Sequence, residues 1–280
     1  EPILRRHLPE LHEETKGIAD GAGMDFMDIL ALNGFLDLFD LTFPHLSDKI
    51  LYSGGCSTFG VTAPDGAWSY MGQNYDVRKL FEPGVMLMDI RVKGRPRALV
   101  ATVAGMTGCV GINEAGVAVA INNLTPRDSR PGILHQHMVR HILNQTRIGD
   151  AVNAVASLPR ASGFNYLIGD ASGEMIGLET SATEYDVYYP DPAGYICHCN
   201  HYVLPTMRHQ EGTPASNGDS IARYGRMRHR LLRLDRSDPV ESLKAACRDH
   251  TNYPYSICRH PDEDVPPPFG TGKTVFSVIM

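Results

Sequence analysis

The chain has 280 residues, of which 42% are hydrophobic and 21% are charged, and this balance excludes the disordered and fibrous classes of protein. A net charge of -6 gives no general excess of positive charge, so we expect neither nucleic acid nor a membrane as a partner. Six cysteines are too few for a disulfide scaffold at this length. We therefore expect a cytoplasmic protein. The sequon Asn144-Gln145-Thr146 leaves secretion as the alternative, and a first residue other than Met is consistent with a segment upstream of Glu1.

The predicted elements change in blocks along the chain. An apolar periodic run capped by Asp25 predicts a helical first block, and consecutive antiparallel strands follow it. Helices and strands then alternate in groups, which predicts two packed antiparallel sheets with helices outside, in one domain. The blocks are helical residues 1–43, strands within 56–124, helices at about 132–145 and 148–158, strands within 165–203, helices at about 220–234 and 238–248, and a last strand at 274–280.

The first strand pair is a hairpin that begins at a cysteine directly behind two glycines. Its turn is Pro64-Asp65-Gly66, and this position sets Cys56 opposite residue 75. A one-residue slip or bulge is expected to bring Asp76 beside the thiol. An acid there can hold an ammonium group or orient the nucleophile. The alternative for Asp76 is an ordinary exposed strand carboxylate.

The Gly55-Cys56 pair is typical of a nucleophile that cuts its own backbone. Because Gly55 has no Cβ, the neighbouring thiol can reach its carbonyl at little steric cost, as an N-to-S acyl shift requires. Hydrolysis then leaves Cys56 as a new N-terminus, whose α-amine has an ordinary pKa of about 7.7 to 8.0 and is a base on the same residue. The alternative is a buried cysteine that acts as a small hydrophobe.

The sequence contains no complete version of the other catalytic and cofactor motifs that we considered. GTGKT at 270–274 resembles the end of a phosphate-binding loop, but Pro267 stands in place of its first glycine. Neither GxSxG nor HExxH occurs. On the strand that carries Cys197 to His201, alternation places the cysteines on one face and His198 on the other, so they cannot surround one ion. We therefore expect no metal and no cofactor. The groups considered are His135, His137 and His141 on one predicted helix, and Cys197, His198, Cys199 and His201 on one strand.

The predicted helix 220–234 carries a stripe of arginines. Two interpretations remain open: a solvated basic face of an amphipathic helix, or a surface that holds the phosphates of an acyl-CoA donor. The stripe consists of Arg223, Arg226, Arg230 and Arg233.

Several motifs, taken together and in this order, resemble the isopenicillin N acyltransferase-like branch of the N-terminal-nucleophile hydrolases. That resemblance implies an α+β fold, an αββα four-layer sandwich of two antiparallel sheets. It also implies a single domain, 1–280, that autocleavage divides into an α segment, 1–55, and a β segment, 56–280. The motifs are the Gly55-Cys56 junction, QNYD at 73–76, GMTGCVGINEAGVAVAINNL at 105–124, HCNHY at 198–202, SIARYGRM at 220–227 and SICRH at 256–260.

The resemblance also implies roles for individual residues. Cys56 resembles the nucleophile, Gly55 the residue attacked during maturation, Asp76 the assisting acid, and Asn200 the side-chain donor of the oxyanion hole. Val77-Arg78 follows Asp76 where an aromatic residue is expected, so we expect a different shape of acyl pocket. The substrate-binding candidates are Tyr75, Asn122, Asn123 and Arg259, the last as a partner for a substrate carboxylate.

We therefore expect an autoproteolytically activated amide hydrolase that acts on a small acylated amine or amino-acid derivative, with its own α and β fragments as partners. Hydrolysis and transfer differ only in the acceptor that resolves the acyl-enzyme, so an N-acyltransferase, with acyl-CoA as one possible donor, is the first alternative. An unprocessed, inactive small-molecule-binding protein is the second.

Overall fold

The computed structural model describes residues 1–42, 55–212, 217–265 and 272–280. Asp25 caps the third helix by accepting a hydrogen bond from Met27 N, as predicted. The helices are α1 (Pro2–His7), α2 (Pro9–Ala22), α3 (Phe26–Asn33), α4 (Phe35–Thr42), α5 (His135–Ile142), α6 (Ile148–Ser157), α7 (Gly218–Leu232) and α8 (Pro239–Cys247), with 3₁₀ helices at Lys79–Gly84 and Arg208–Gln210. None of the helices in these ranges is long and apolar enough to cross a membrane.

The strands form two antiparallel sheets, as the sequence predicted. One has four strands in the order β10-β1-β2-β11, and the other has seven strands, β3 to β9, in chain order. The strands are β1 (Gly55–Thr62), β2 (Ser69–Arg78), β3 (Val85–Ile90), β4 (Ala98–Val103), β5 (Val110–Asn113), β6 (Ala118–Leu124), β7 (Gly163–Gly169), β8 (Met175–Thr180), β9 (Tyr185–Tyr188), β10 (Tyr195–His198) and β11 (Gly272–Ile279).

Three apolar clusters define four layers. Helices α1 to α6 contribute to the cluster that covers the outer face of the seven-stranded sheet, which includes Leu30, Met138 and Val155. A second cluster fills the space between the sheets and contains Cys56. A third packs α7 and α8, through residues such as Met227, against the four-stranded sheet. The architecture is therefore the predicted αββα sandwich.

The hairpin register confirms one prediction and corrects another. Cys56 pairs with Tyr75, as the turn position predicted, and pairing continues without a break to the turn. Because there is no slip or bulge in this pair, Asp76 lies opposite Gly55 and not beside the thiol. Side chains alternate across a strand, so Cys56 points into the core between the sheets, whereas Asp76 points toward α7.

The bulge lies on the other side of β2. The register between β11 and β2 shifts between Thr274 and Phe276, directly beside the pair formed by Thr274 and Asp76. A bulge re-aims neighbouring side chains. Here the Thr274 hydroxyl donates to Asp76 Oδ1 at 2.6 Å.

The helical N-terminal segment is tied to the seven-stranded sheet by buried polar contacts. Asn33 donates to Gly105 O at 2.8 Å and accepts from Thr107 N at 2.8 Å. Asp40 Oδ2 accepts from the Asn123 amide at 2.9 Å. These contacts and the shared apolar core do not depend on an intact backbone at residue 55.

Candidate active site

The Gly55-Cys56 junction lies at the start of β1, beside the end of β10. Thr58 pairs with His198, and the chain continues from His198 to place Asn200 alongside Cys56. Cys56 N donates to Asn200 Oδ1 at 2.8 Å. The nitrogen of the predicted scissile bond is therefore held by the side chain that the sequence had singled out.

The orientation of the Asn200 amide is fixed by its neighbours. Its Oδ1 accepts from Cys56 N and from Arg223 Nη2, the latter at 2.9 Å, and both of these groups can only donate. Its Nδ2 donates to Asn123 O, which can only accept, at 3.0 Å. An amide nitrogen has two N–H bonds, so one remains for a further acceptor after the contact with Asn123.

Asp76 is a buried carboxyl group that faces Gly55. Its Oδ1 accepts from Thr274, while Oδ2 has no hydrogen bond from a described residue. Burial is the main influence on Asp76 and raises its pKa to about 7, although Arg223 and the Thr274 hydroxyl act in the opposite direction. The carboxyl group therefore exchanges its proton near neutral pH, as a group that shuttles protons must.

Two guanidinium groups close the junction on the same side. A Cβ placed on Gly55 would lie 3.1 Å from Arg223 Nη2 and 3.3 Å from Arg259 Nη1. Arg223 donates to Cys56 O at 2.7 Å, and Arg259 donates to Asp219 Oδ2 at 3.0 Å. Two cations and two carboxylates, those of Asp76 and Asp219, thus surround the bond that the sequence predicted to be cut.

Arg223 departs from both interpretations of the arginine stripe. Arg223 is only 2% exposed and shares the buried face of α7 with Met227 and Leu231, so it is not part of a solvated face. Arg226 and Arg230 both bind the buried carboxylate of Asp249, at 2.6 and 2.7 Å. Arg223 is therefore engaged inside the protein, whereas Arg226 and Arg230 are partly exposed and paired with a buried carboxylate, so the four arginines do not form one free surface for phosphates.

Sequence reasoning missed Arg223 as a site residue, although a signal was present. Arg223, Met227 and Leu231 follow one another at a spacing of four, which is the spacing of one helix face. An arginine on an apolar stripe requires buried partners. Asp219 and Thr274 were missed as well, and no sequence pattern distinguished them from surface residues.

Comparison with known proteins identifies the family. Residues 61–271 match the family described as acyl-coenzyme A:6-aminopenicillanic acid acyl-transferase. The chain belongs to this family. Over 284 aligned positions it is 30% identical to the 40 kDa form of acyl-coenzyme A:6-aminopenicillanic-acid-acyltransferase from Emericella nidulans, an alignment that covers 100% of this chain and 74% of that protein.

Two solved structures of other proteins have the same fold as this chain. The N-acylethanolamine-hydrolyzing acid amidase ortholog of Caenorhabditis elegans has a TM-score of 0.53 and 13% identity, over 80% of this chain and 92% of that chain. Penicillin V acylase from Agrobacterium tumefaciens has a TM-score of 0.51 and 12% identity, over 80% and 79% of the two chains. The fold is that of the N-terminal-nucleophile hydrolases.

The family match begins at residue 61, so the evidence for the nucleophile comes from the geometry of this chain. Cys56 is 4% exposed, and burial, followed by the charge of Asp76, raises its pKa to about 12. The thiol of the intact chain is therefore protonated at neutral pH. Its own nitrogen is an amide and cannot act as a base. Activation of the thiol for turnover would require release of that nitrogen as an amine.

The substrate-binding candidates lie at different distances from this junction. Asn123 reaches it, because its carbonyl accepts from Asn200. Asn122 instead connects the two sheets and accepts from Thr58 Oγ1 at 2.7 Å. Tyr75 lies in the core between the sheets and stacks on Phe276 with ring centroids 5.0 Å apart. Arg259 lies at the junction, against Asp219.

Replacing Gly55 by alanine tests how closely the junction is packed. The added Cβ would lie 3.1 to 3.3 Å from three buried charged groups, so the guanidinium ends and Asp76 would have to shift by a few tenths of an ångström. We expect chain cleavage to slow by about tenfold or more, because small displacements of reacting groups are costly. Gly225→Ala is the matched control, since a Cβ there meets nothing within 4 Å. Time courses on denaturing gels measure both rates, and equal rates would contradict a tightly packed junction.

Proposed function

We propose that this chain is a cysteine hydrolase activated by its own cleavage between Gly55 and Cys56, and that it hydrolyses the amide bond of a small N-acylated amine or amino-acid derivative. The observation that carries the proposal is the hydrogen bond from Cys56 N to Asn200 Oδ1, at a buried junction that Asp76 faces. Membership of the acyl-transferase family supports the general kind of reaction.

Maturation would proceed as an N-to-S acyl shift. The Cys56 sulfur forms a bond to the carbonyl carbon of Gly55 while the bond from that carbon to Cys56 N breaks. Because Asp76 lies on the face opposite the thiol, the thiol proton would reach its carboxylate through one water, and the carboxyl group would then protonate the departing nitrogen, which Asn200 Oδ1 holds in place. Water then hydrolyses the thioester, which leaves a carboxylate on Gly55 and a free amine on Cys56.

Turnover would repeat the same chemistry on an external substrate. The new α-amine takes the thiol proton, the sulfur attacks the substrate carbonyl, and the leaving amine receives the proton back. The remaining N–H of Asn200 Nδ2 is the proposed donor to the oxyanion, a contact worth about 100-fold to 1000-fold in rate. Asn200 Oδ1 would continue to accept from the α-amine, so one side chain would position the base and stabilise the intermediate.

The α and β fragments would stay together after cleavage. Asn33 and Asp40, on helices upstream of the cut, bond to Gly105, Thr107 and Asn123 downstream of it. The apolar cluster over the seven-stranded sheet also joins residues from both segments. The proposed partners are therefore the two fragments of one precursor and a small acylated substrate.

Acyl transfer is the second candidate, favoured by 30% identity to an enzyme named as an acyl-coenzyme A:6-aminopenicillanic-acid-acyltransferase. In that case an amine replaces water in the second step, and an acyl-CoA thioester can supply the acyl group. An unprocessed binding protein is the alternative without catalysis, and it requires the bond between Gly55 and Cys56 to remain intact.

Incubation with a panel of N-acyl amines and N-acyl amino acids tests the proposal. Release of free amine, together with a covalent acyl adduct on the fragment that begins at Cys56, is the expected result. Adding acyl-CoA and 6-aminopenicillanic acid then separates the candidates, since a transferase makes an N-acyl product and a hydrolase makes free acid. Ligand binding without product or adduct would favour the binding protein.

The buried guanidinium of Arg223 is expected to be a positioning group for both steps. It donates to Cys56 O and to Asn200 Oδ1, so Arg223→Ala leaves two buried acceptors without this donor. We expect cleavage about 100-fold slower, because the reacting atoms lose their alignment. Arg223→Lys keeps the positive charge but lacks the planar guanidinium, so its cleavage rate should lie between those of the wild type and Arg223→Ala.

Arg233→Ala is the matched control on the same helix, because Arg233 is exposed and contacts only His229 among the partners described. Cleavage rates of all the variants are measured by mass spectrometry, with circular dichroism as the check on folding. Folded Arg223→Ala that cleaves at the rate of the control would contradict the positioning role.

A further inference from the structure

Three side chains of the types that bind transition metals converge on the loop after α8, outside the groups that the sequence analysis considered. They are His250, Cys258 and His260, and their ligand atoms all lie within 4.8 Å of one another. We propose that these three residues form a binding site for a divalent transition metal of the Zn²⁺ type.

The distances between the ligand atoms match the edges of a metal tetrahedron. Zn²⁺ binds histidine nitrogen at about 2.0 to 2.1 Å and cysteine sulfur at about 2.3 Å, so in a tetrahedron two nitrogens lie about 3.3 Å apart and a nitrogen and sulfur about 3.6 Å apart. The two histidine Nε2 atoms are 2.9 Å apart, and Cys258 Sγ is 3.8 Å from His260 Nε2. Small rotations of the rings would bring all three atoms to one ion.

The loop backbone brings the ligands together before any ion binds. Cys258 N donates to Asp249 O at 3.0 Å, which joins the start of the loop to its end. The carboxylate of Asp249 is buried and held by Arg226 and Arg230. A site whose ligands are held in place by the fold loses less conformational freedom when it binds.

The donor set and its surroundings suit a borderline-soft ion. Two imidazoles and one thiolate are ligands that Zn²⁺ prefers, and binding would release the Cys258 thiol proton. The nearby cation Lys273 is paired with Glu82 at 2.6 Å, which reduces its repulsion of a metal ion. His250 is exposed, so the site opens to solvent and a water can complete the coordination.

The site lies next to the catalytic junction along the chain. Cys258 and His260 flank Arg259, whose side chain lies at the junction and whose backbone N donates to Thr274 Oγ1 at 2.9 Å. Thr274 in turn donates to Asp76. A metal bound here would fix the segment that carries Arg259 without touching the reacting atoms.

Cobalt(II) substitution tests the site without any measurement of activity. Purified full-length Cys56→Ala protein, whose catalytic thiol cannot contribute, is titrated with Co²⁺ and followed by its thiolate-to-cobalt charge-transfer absorption. We expect one Co²⁺ per chain, displaced by Zn²⁺, and loss of the band in Cys258→Ser. His250→Ala should weaken binding at least tenfold, whereas His7→Ala, which removes an exposed histidine elsewhere, should not change it.

Two results would overturn the proposal. One is the absence of a charge-transfer band in the folded parent protein, which would mean that the two imidazoles are held together by an N–H···N hydrogen bond alone. The other is a band that persists in both Cys258→Ser and His250→Ala. Neither result bears on cleavage at Cys56, so the metal site and the proposed function fail or stand separately.

Discussion

A Cys56→Ala chain is expected to remain a single polypeptide of 30.8 kDa and to release no amine from any N-acyl substrate that the wild type hydrolyses. The substitution removes the sulfur that attacks Gly55 and, in the same step, prevents release of the α-amine that would act as base. The fold should survive, since only one small side chain is removed from the core between the sheets. Loss of activity should therefore be complete, unlike the partial loss expected at a positioning residue.

The control for this variant is Cys197→Ala, which removes another buried thiol from the same sheet, on the face toward α7 and α8. It should cleave and hydrolyse at rates close to those of the wild type. If Cys56→Ala were cleaved at the same bond as the wild type, the nucleophile would have to be another group, and the mechanism proposed above would be wrong.

The second large effect on the rate of chain cleavage is expected from replacing Asp76. Asp76→Asn keeps an oxygen to accept from Thr274 but cannot carry a proton from the thiol to the nitrogen. General acid–base catalysis contributes about 100-fold to 10,000-fold, so we expect cleavage to slow by that factor. Rates are measured from the mass spectrum of the unfolded sample at timed intervals.

The pH dependence of cleavage shows which protonation state of Asp76 is the active one. Burial raises its pKa to about 7, and the carboxylate form is the one that accepts the thiol proton. The wild-type rate should therefore fall about tenfold for each pH unit below 7 and level off above it. Asp76→Asn should lose this dependence.

Asp89→Asn is the control for Asp76, because Asp89 is a strand carboxylate that is paired with Arg97 in an exposed position on β3. It should leave the pH profile unchanged. A wild-type rate that is constant from pH 5 to pH 8 would contradict the role of Asp76 as the proton carrier.

The hairpin shows how far the sequence alone could lead. The turn residues determine its register, so the pairing of Cys56 with Tyr75 followed from counting along two strands. The same alternation argument could have placed Asp76 on the face opposite the thiol. The predicted slip would have placed the acid beside the sulfur, whereas the structure pairs Asp76 with Gly55, on the carbonyl side of the bond.

The residues that sequence reasoning missed depend on contacts that form only in the folded chain. Arg223 was assigned to a basic stripe with Arg226, Arg230 and Arg233, whereas the structure places it on the buried face of α7 with Met227 and Leu231. The ligands of the proposed metal site lie within one short loop, and they come together because Cys258 N donates back to Asp249 O, a closure that the spacing of the three residues does not indicate. Residues far apart in the chain come together through tertiary packing, and one sequence contains little record of it.

The most direct test of the central claim is the intact mass of the wild-type protein, purified without thiol inhibitors and measured under denaturing conditions. Cleavage before Cys56 predicts two fragments of about 6 and 25 kDa, in proportion to their share of the 30.8 kDa chain, with Cys56 as the first residue of the larger one. A single chain of 30.8 kDa, or a larger fragment that begins at any other residue, would contradict self-activation at this bond.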